Sequence, residues 1–258
     1  MTNFYYKLKI SYAGQNYFGW QIQKDTDLTI QGQLNIALCG ATGLNDFKLI
    51  ASGRTDAGVH ALGQVVLVKS AKKLPSRVFL KGVNQRLPKD IKIISVDEVD
   101  EKFHPIYDSK SKTYEYVLSL KEMDPFLSHY SYHYCASIDL DLLRVGADCF
   151  KGEQDFVNYF CVGTEMSSTV RTIFHAEVFK ASSLSLGNQS IIGDFICIRF
   201  IGSGFLKQQV RLMVGALLAL NEHKVSTLDI RDSLLSRKNR HLGAVAPACG
   251  LYLKDVFY

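Results

Sequence analysis

Asp56 stands in the densest polar run of the chain, Ser52-Gly53-Arg54-Thr55-Asp56-Ala57-Gly58-Val59-His60. A carboxylate can serve as a nucleophile, and a guanidinium, Arg54, stands two residues away. The two glycines permit backbone conformations and close approaches denied to other residues. The run falls between two expected strands, and loops held by rigid strands often carry reactive groups. On residue types alone it reads as a polar turn, since Asp and Gly favour turns through local hydrogen bonds. His60 follows Asp56 by four residues, and His104 is a further imidazole. Without a third ligand or a helix to align them these make a weak metal signal, and no metal is expected.

The elements that must hold this loop can be read from periodicity. Residues 4–12 (FYYKLKISY) form a strand, followed by a Gly- and Asn-containing loop and Phe18-Gly19-Trp20-Gln21. Ile30, Leu34, Ala37 and Leu38 define one face of a helix over Thr29–Cys39. Short strands near Phe47–Ala51 and Gln64–Val68 flank the polar run. A helix is expected around Ser76–Arg86, ending before Pro88, and a strand at Ile91–Val96.

From Thr113 to Leu120 the pattern alternates, with Tyr114, Tyr116, Leu118 and Leu120 on one face. Ile138–Cys149 reads as a helix. Ile173–Lys180 and Asp194–Ile201 read as a strand pair joined by a polar loop over Ala181–Gly193. After Gly202-Ser203-Gly204 a helix runs to about Glu222 on a stripe of Leu206, Val210, Met213, Leu217 and Leu220, with Ser203 as its N-cap. Strands and helices mix without strict βαβ alternation, which favours an α+β fold with largely antiparallel sheet. The similar complement of elements in each half suits two related lobes.

Composition narrows the function classes. The chain has 258 residues, 47% hydrophobic and 21% charged, which argues against disorder. A net charge of +5 is a mild basic bias, compatible with a nucleic-acid partner but weak as evidence for one. Basic clusters at Lys69–Lys73, Lys110–Lys112 and Arg231–His241 could track phosphates, although such clusters are more often solvated faces. The six cysteines are widely and irregularly spaced, without a C-x-x-C pair, and read as reduced thiols. The start, MTNFYYKLKISY, lacks the features of a signal peptide, and the most apolar stretch, Leu212–Leu220, is far short of the ~20 residues that span a bilayer. A soluble, cytoplasmic protein is expected.

Gly53-Arg54-Thr55-Asp56-Ala57-Gly58-Val59-His60-Ala61 resembles the catalytic motif of the TruA family of tRNA pseudouridine synthases. Further segments match that family's landmarks in order: Phe18-Gly19-Trp20-Gln21-Ile22-Gln23, Lys112-Thr113-Tyr114-Glu115-Tyr116, Phe150–Phe156 (FKGEQDF) and Arg171-Thr172-Ile173. Phe205-Leu206 with Val210-Arg211 and Gly215, and the C-terminal Ala246–Leu253 (APACGLYL), complete the set. The matches run from residue 18 to residue 253, nearly the whole chain.

The resemblance implies two α+β lobes, 1–105 and 106–258, with mostly antiparallel sheets joined around a central basic active-site cleft and helices on the outer faces. The first lobe would carry the catalytic Asp56 loop and the second the active-site Tyr114 and Arg211. Arg211 would be the charge partner of the carboxylate, Tyr114 would stack on the uracil and move protons, and Arg54 would enter the space the base vacates or contact the backbone beside it. Tyr116 would support Tyr114. The activity implied is isomerisation of uridine to pseudouridine in the anticodon stem-loop, at tRNA positions 38, 39 and 40, by a homodimer with no cofactor. Three alternatives stay open: a catalytically silent tRNA-binding relative, a synthase acting at other tRNA uridines, and a metal-dependent nuclease using Asp56 and His60. One departure matters: after Phe103-His104 the family continues Ala-Arg-Phe, whereas this chain has Pro105-Ile106-Tyr107. Lys207-Gln208-Gln209 likewise replaces an aromatic and a histidine common in relatives.

Overall fold

The computed structural model describes residues 3–45, 47–120, 124–161, 167–236 and 241–258. It divides into two compact units, residues 1–110 with 253–258, and residues 111–252.

In the first unit, β1 (Phe4–Tyr12) lies between β3 (His60–Ser70) and β4 (Ile91–Val99), and β2 (Phe47–Ala51) borders β3; all these pairings are antiparallel. Leu8 faces Val66 on one side and Val96 on the other. The period-2 alternation of β1 buries Tyr6, Leu8, Ile10 and Tyr12 on one face. Phe79 packs its ring 4.8 Å from that of Tyr6. Phe79 belongs to the helical segment expected over 76–86, which is α-helical at residues 76–77, π-helical over Val78–Val83 and continued by turns to residue 86. That segment packs on α1 (Ile30–Thr42), whose Ile30, Leu34, Ala37 and Leu38 are buried as the spacing predicts. Thr29 caps α1 by accepting from the Gly32 N–H at 3.1 Å. The opposite face of β1 carries Lys7 and Lys9, paired with Asp97 at 3.5 Å and Asp255 at 2.9 Å. The end of β10 (Leu251–Phe257) runs beside β3 in this unit.

In the second unit, β5 (Ser111–Ser119), β9 (Gln189–Gly202), β8 (Val170–Leu186) and β7 (Gly152–Asp155) are neighbours in that order, all antiparallel, and the two-residue β6 (Tyr132–His133) pairs parallel to β5. The polar stretch Ala181–Gly193 is therefore not a loop. β8 and β9 continue through it to a tight turn at Gly187, whose φ of 65° a side chain would oppose. Cross-strand pairing overrides the low apolar content of that stretch. β5 is buried on both faces from Lys112 to Leu118, so its alternation does not mark a solvent side. Glu115, on the face opposite Tyr114, is neutralised by Arg199 at 2.8 Å.

Helix α2 (Leu140–Asp148) is capped by Asp139 and starts two residues later than the Ile138 expected. It packs on α3 (Gln209–Asn221) so closely that a Cβ on Gly146 would overlap Leu220. α3 is buried nearly all round, with apolar side chains on every face. Ser203 does not cap it. The Ser203 hydroxyl accepts instead from the Thr172 N–H at 3.3 Å, and the chain turns between Leu206 and Gln209, where the helix begins and the Gln209 side chain accepts from the Leu206 N–H. Gln208, at φ 62°, makes that turn. α4 (Thr227–Leu235) starts with a Ser226–Asp229 capping box. Among the described residues no helix is long and apolar enough to cross a membrane.

Candidate active site

The loop Ser52–Val59 hangs between β2 and β3, and its shape is set by groups on β1, β3 and the 14–20 segment. Thr55 is buried and shares a 2.8 Å hydrogen bond with the Tyr12 hydroxyl. Burial pushes Tyr12 up to about 12, against the smaller opposing effect of Thr55 and Gln64, so it remains a neutral phenol at ordinary pH. The fully buried Gln64 side chain donates to the Gly53 carbonyl at 2.6 Å. Trp20 N–H donates to the Thr55 carbonyl at 3.0 Å, and Gly58 N–H donates to the Tyr17 carbonyl at 3.2 Å. Asp56 is left half-buried and Arg54 exposed, two residues apart on a loop gripped at Gly53, Thr55 and Gly58.

Two glycines outside the motif let the loop lie where it does. Gly19 has φ 90°, and a Cβ there would sit 2.7 Å from the Thr55 carbonyl oxygen. A Cβ on Gly14 would overlap the Val59 carbonyl. His60 is buried, and its Nδ1 accepts from the Gly14 N–H at 3.1 Å. That bond gives the imidazole a part in positioning the loop. Among the described residues no group of three His, Cys, Asp or Glu could hold a metal ion. Tyr12, Gln64 and Gly14 were not singled out by sequence reasoning. The readable signal was a glutamine and a tyrosine at apolar strand positions.

The second unit holds Tyr114 and Arg211. Tyr114, 7% exposed on β5, meets the Phe205 ring edge-on with centroids 5.0 Å apart. Tyr116, two residues on, is fully buried and donates its hydroxyl to the Pro247 carbonyl at 2.8 Å. Burial holds its pKa far above the ordinary tyrosine value, with the nearby Cys249 thiol adding to the rise and Arg211 opposing it. Arg211 donates Nε to the Ala246 carbonyl at 2.7 Å, and Ala246 N–H returns a bond to the Arg211 carbonyl at 3.2 Å. Adjacent carbonyls of the Ala-Pro-Ala segment thus tie down both Tyr116 and Arg211. The Arg54–Asp56 pair belongs to the first unit, whereas Tyr114, Tyr116 and Arg211 belong to the second.

The departure at 103–107 forms its own small structure. His104 Nδ1 accepts from the Ile106 and Tyr107 N–H groups, and the Tyr107 ring, 83% exposed, stacks on the imidazole at 4.3 Å. Of the basic clusters, Lys69 lies over the Tyr5 ring and Lys73 pairs with Glu98 at 3.2 Å. Lys110 is exposed but Lys112 is buried, contrary to a solvated face. Residues 237–240 of the Arg231–His241 cluster lie outside the described residues.

Comparison with known proteins gives a consistent result. A family model described as tRNA pseudouridine synthase matches residues 9–108 and 147–258, a span that holds Asp56 and Arg211 but not Tyr114. A protein of an Exiguobacterium species named tRNA pseudouridine synthase A is 37% identical over 252 residues, 98% of this chain and 97% of that protein. The like-named protein of Geotalea daltonii is 38% identical over 253 residues, 98% of each chain. That of Thermodesulfovibrio yellowstonii is 35% identical, again over 98% of each.

Proposed function

The chain belongs to the tRNA pseudouridine synthase family, and we propose that it isomerises uridine to pseudouridine in the anticodon stem-loop, at positions 38, 39 and 40. The observation that carries this reading is the Asp56 loop, which presents a half-buried carboxylate on a backbone held from both sides. A carboxylate that must act on one sugar carbon gains from such positioning, because misplacement by an ångström is costly.

In the reaction the bond from uracil N1 to ribose C1′ breaks, the base turns, and C5 bonds to C1′. The hydrogen on C5 leaves as a proton and N1 regains one, so atoms and electrons balance without any redox partner. Asp56 is the group that acts on the sugar or base as the first bond opens. Arg211 serves as the charge partner of this carboxylate. Tyr114 offers a flat ring, already braced by Phe205, on which the freed uracil can stack, and a hydroxyl that can move a proton. The exposed Arg54 fills the stack that the flipped base leaves. Two related lobes around a basic cleft, one carrying Asp56 and the other Tyr114 and Arg211, are the arrangement this reading requires. A homodimer would present two such surfaces to one tRNA, and the substrate implies a cytoplasmic enzyme.

Tritium release from tRNA carrying [5-³H]uridine tests the assignment, since forming the new bond expels the C5 hydrogen. Wild type should release tritium in EDTA, and Asp56→Asn should release none while still binding tRNA. If neither protein releases tritium from a full tRNA pool and both bind equally, the chain is a tRNA-binding relative without catalysis. The Pro105-Ile106-Tyr107 departure favours one refinement, a shifted set of uridines, which mapping the modified positions would reveal.

A further inference from the structure

Lys112 is a buried cation that has no counter-charge among the described residues. It opens β5, is 6% exposed, and among the described residues no carboxylate pairs with it. The charge that does bear on it is another cation, Arg171. The register explains the meeting. Lys112 faces Gly202 on β9, and Gly202 faces Ile173 on β8, so these three positions share one face of the sheet. Arg171, two residues before Ile173, lies on that face beside Gly204. A Cβ on Gly204 would meet only the Arg171 side chain, at 3.9 Å, and otherwise open space. One amino group of Arg171 is tied to the Ser168 and Val170 carbonyls at 3.1 and 2.6 Å, which fixes the guanidinium.

Two like charges brought together with little water cost free energy unless an anion joins them. Burial and Arg171 together bring Lys112 down to about 8, and burial lowers Arg171 as well. A core that only needed filling would be served by an apolar residue at position 112.

We propose that Lys112 and Arg171 form an anion site for a backbone phosphodiester of the RNA, next to the uridine stacked on Tyr114. Lys112 and Tyr114 project from the same face of β5 about 7 Å apart, two strand residues. That spacing matches a nucleotide whose base lies on the Tyr114–Phe205 pair and whose phosphate reaches back to the strand end. Arg171 supplies a fixed fork and Lys112 a point charge, two complementary ways of holding phosphate oxygens. The proposal rests on the synthase reading for the identity of its ligand.

The test uses the full chain and an anticodon stem-loop RNA in a direct binding assay. Lys112→Gln and Arg171→Gln should each weaken binding roughly tenfold or more, and the plot of log affinity against log salt should flatten by about one. Lys112→Arg should restore both, and thermal melts of each variant check that the fold is intact. The decisive arm replaces single phosphates near the target uridine by neutral methylphosphonates. One linkage should weaken wild-type binding while leaving Lys112→Gln almost unaffected. If wild type releases tritium from tRNA but the folded variants keep its affinity and salt slope, or every linkage weakens both proteins equally, the anion site is wrong and the synthase reading stands. If wild type neither binds nor modifies tRNA, that reading fails, and the anion site fails with it.

Discussion

Gly19 shows how a residue with no functional group can govern the loop proposed to carry the catalytic carboxylate. Its φ of 90° and its approach to the Thr55 carbonyl leave no room for a methyl group. Gly19→Ala should lower stability by about 1–3 kcal/mol and lower turnover by far more than that loss of folded protein explains, because Asp56 moves with Thr55. Parallel thermal melts and tritium-release rates would separate the two effects. Lys112 gives a pH signature. Its ammonium titrates near 8 in the folded protein against an ordinary value of 10.5. RNA affinity should therefore fall as pH rises from 7 to 9, and should fall less in Lys112→Arg, whose guanidinium stays charged. The effect on stability has the opposite sign. Between about 8 and 10.5 the unfolded chain binds the extra proton, so the contribution of Lys112 to stability rises with pH across that window. Arg171 is the charged group among the described residues that bears on this titration.

At the scale of elements, α3 and the segment 243–247 act as one piece. A Cβ on Gly215 would overlap the Ala244 carbonyl, and one on Gly243 would overlap the Gly215 carbonyl. The backbones touch there, and the paired bonds between Arg211 and Ala246 follow one turn earlier in the helix. Gly→Ala inside a helix is ordinarily favourable by about 1 kcal/mol. At Gly215 the overlap should reverse the sign, costing on the order of 2 kcal/mol and releasing Arg211 from Ala246. Chemical denaturation combined with tritium release would detect both. Thr29→Ala, which removes the cap of α1, should cost about 1 kcal/mol and leave the chemistry unchanged. A melting temperature lower by about 2–4 °C with normal turnover is the expected pair of observations.

For the molecule as a whole, the net charge of +5 is small for a protein that must hold a polyanion. A homodimer doubles the positive charge offered to one tRNA. Light scattering on the eluted protein should then give twice the 28.9 kDa chain mass. A monomer that still modifies tRNA would remove the need for a partner subunit.

The residues of the candidate site were legible in the sequence as a motif, and so were most elements, because apolar spacing dictates which face of a strand or helix is buried. Ile30, Leu34, Ala37 and Leu38 are one case, and the α+β mixture of elements is another. Helix starts and strand lengths were less legible, since a capping serine or a polar run looks the same whether or not a neighbouring strand claims its backbone. Ser203 binds Thr172 instead of capping α3, and residues 181–193 are strand and turn because two chains pair there. The fate of Lys112 was invisible in sequence. A lysine two residues after another reads as a solvated cluster until three strands come into register and bring Arg171 to it. Sequence alone determined which groups are available for chemistry, because that depends on side-chain identity. Tertiary structure decided which of them lose water and which lie near one another, because burial and long-range charge depend on residues far apart in the chain.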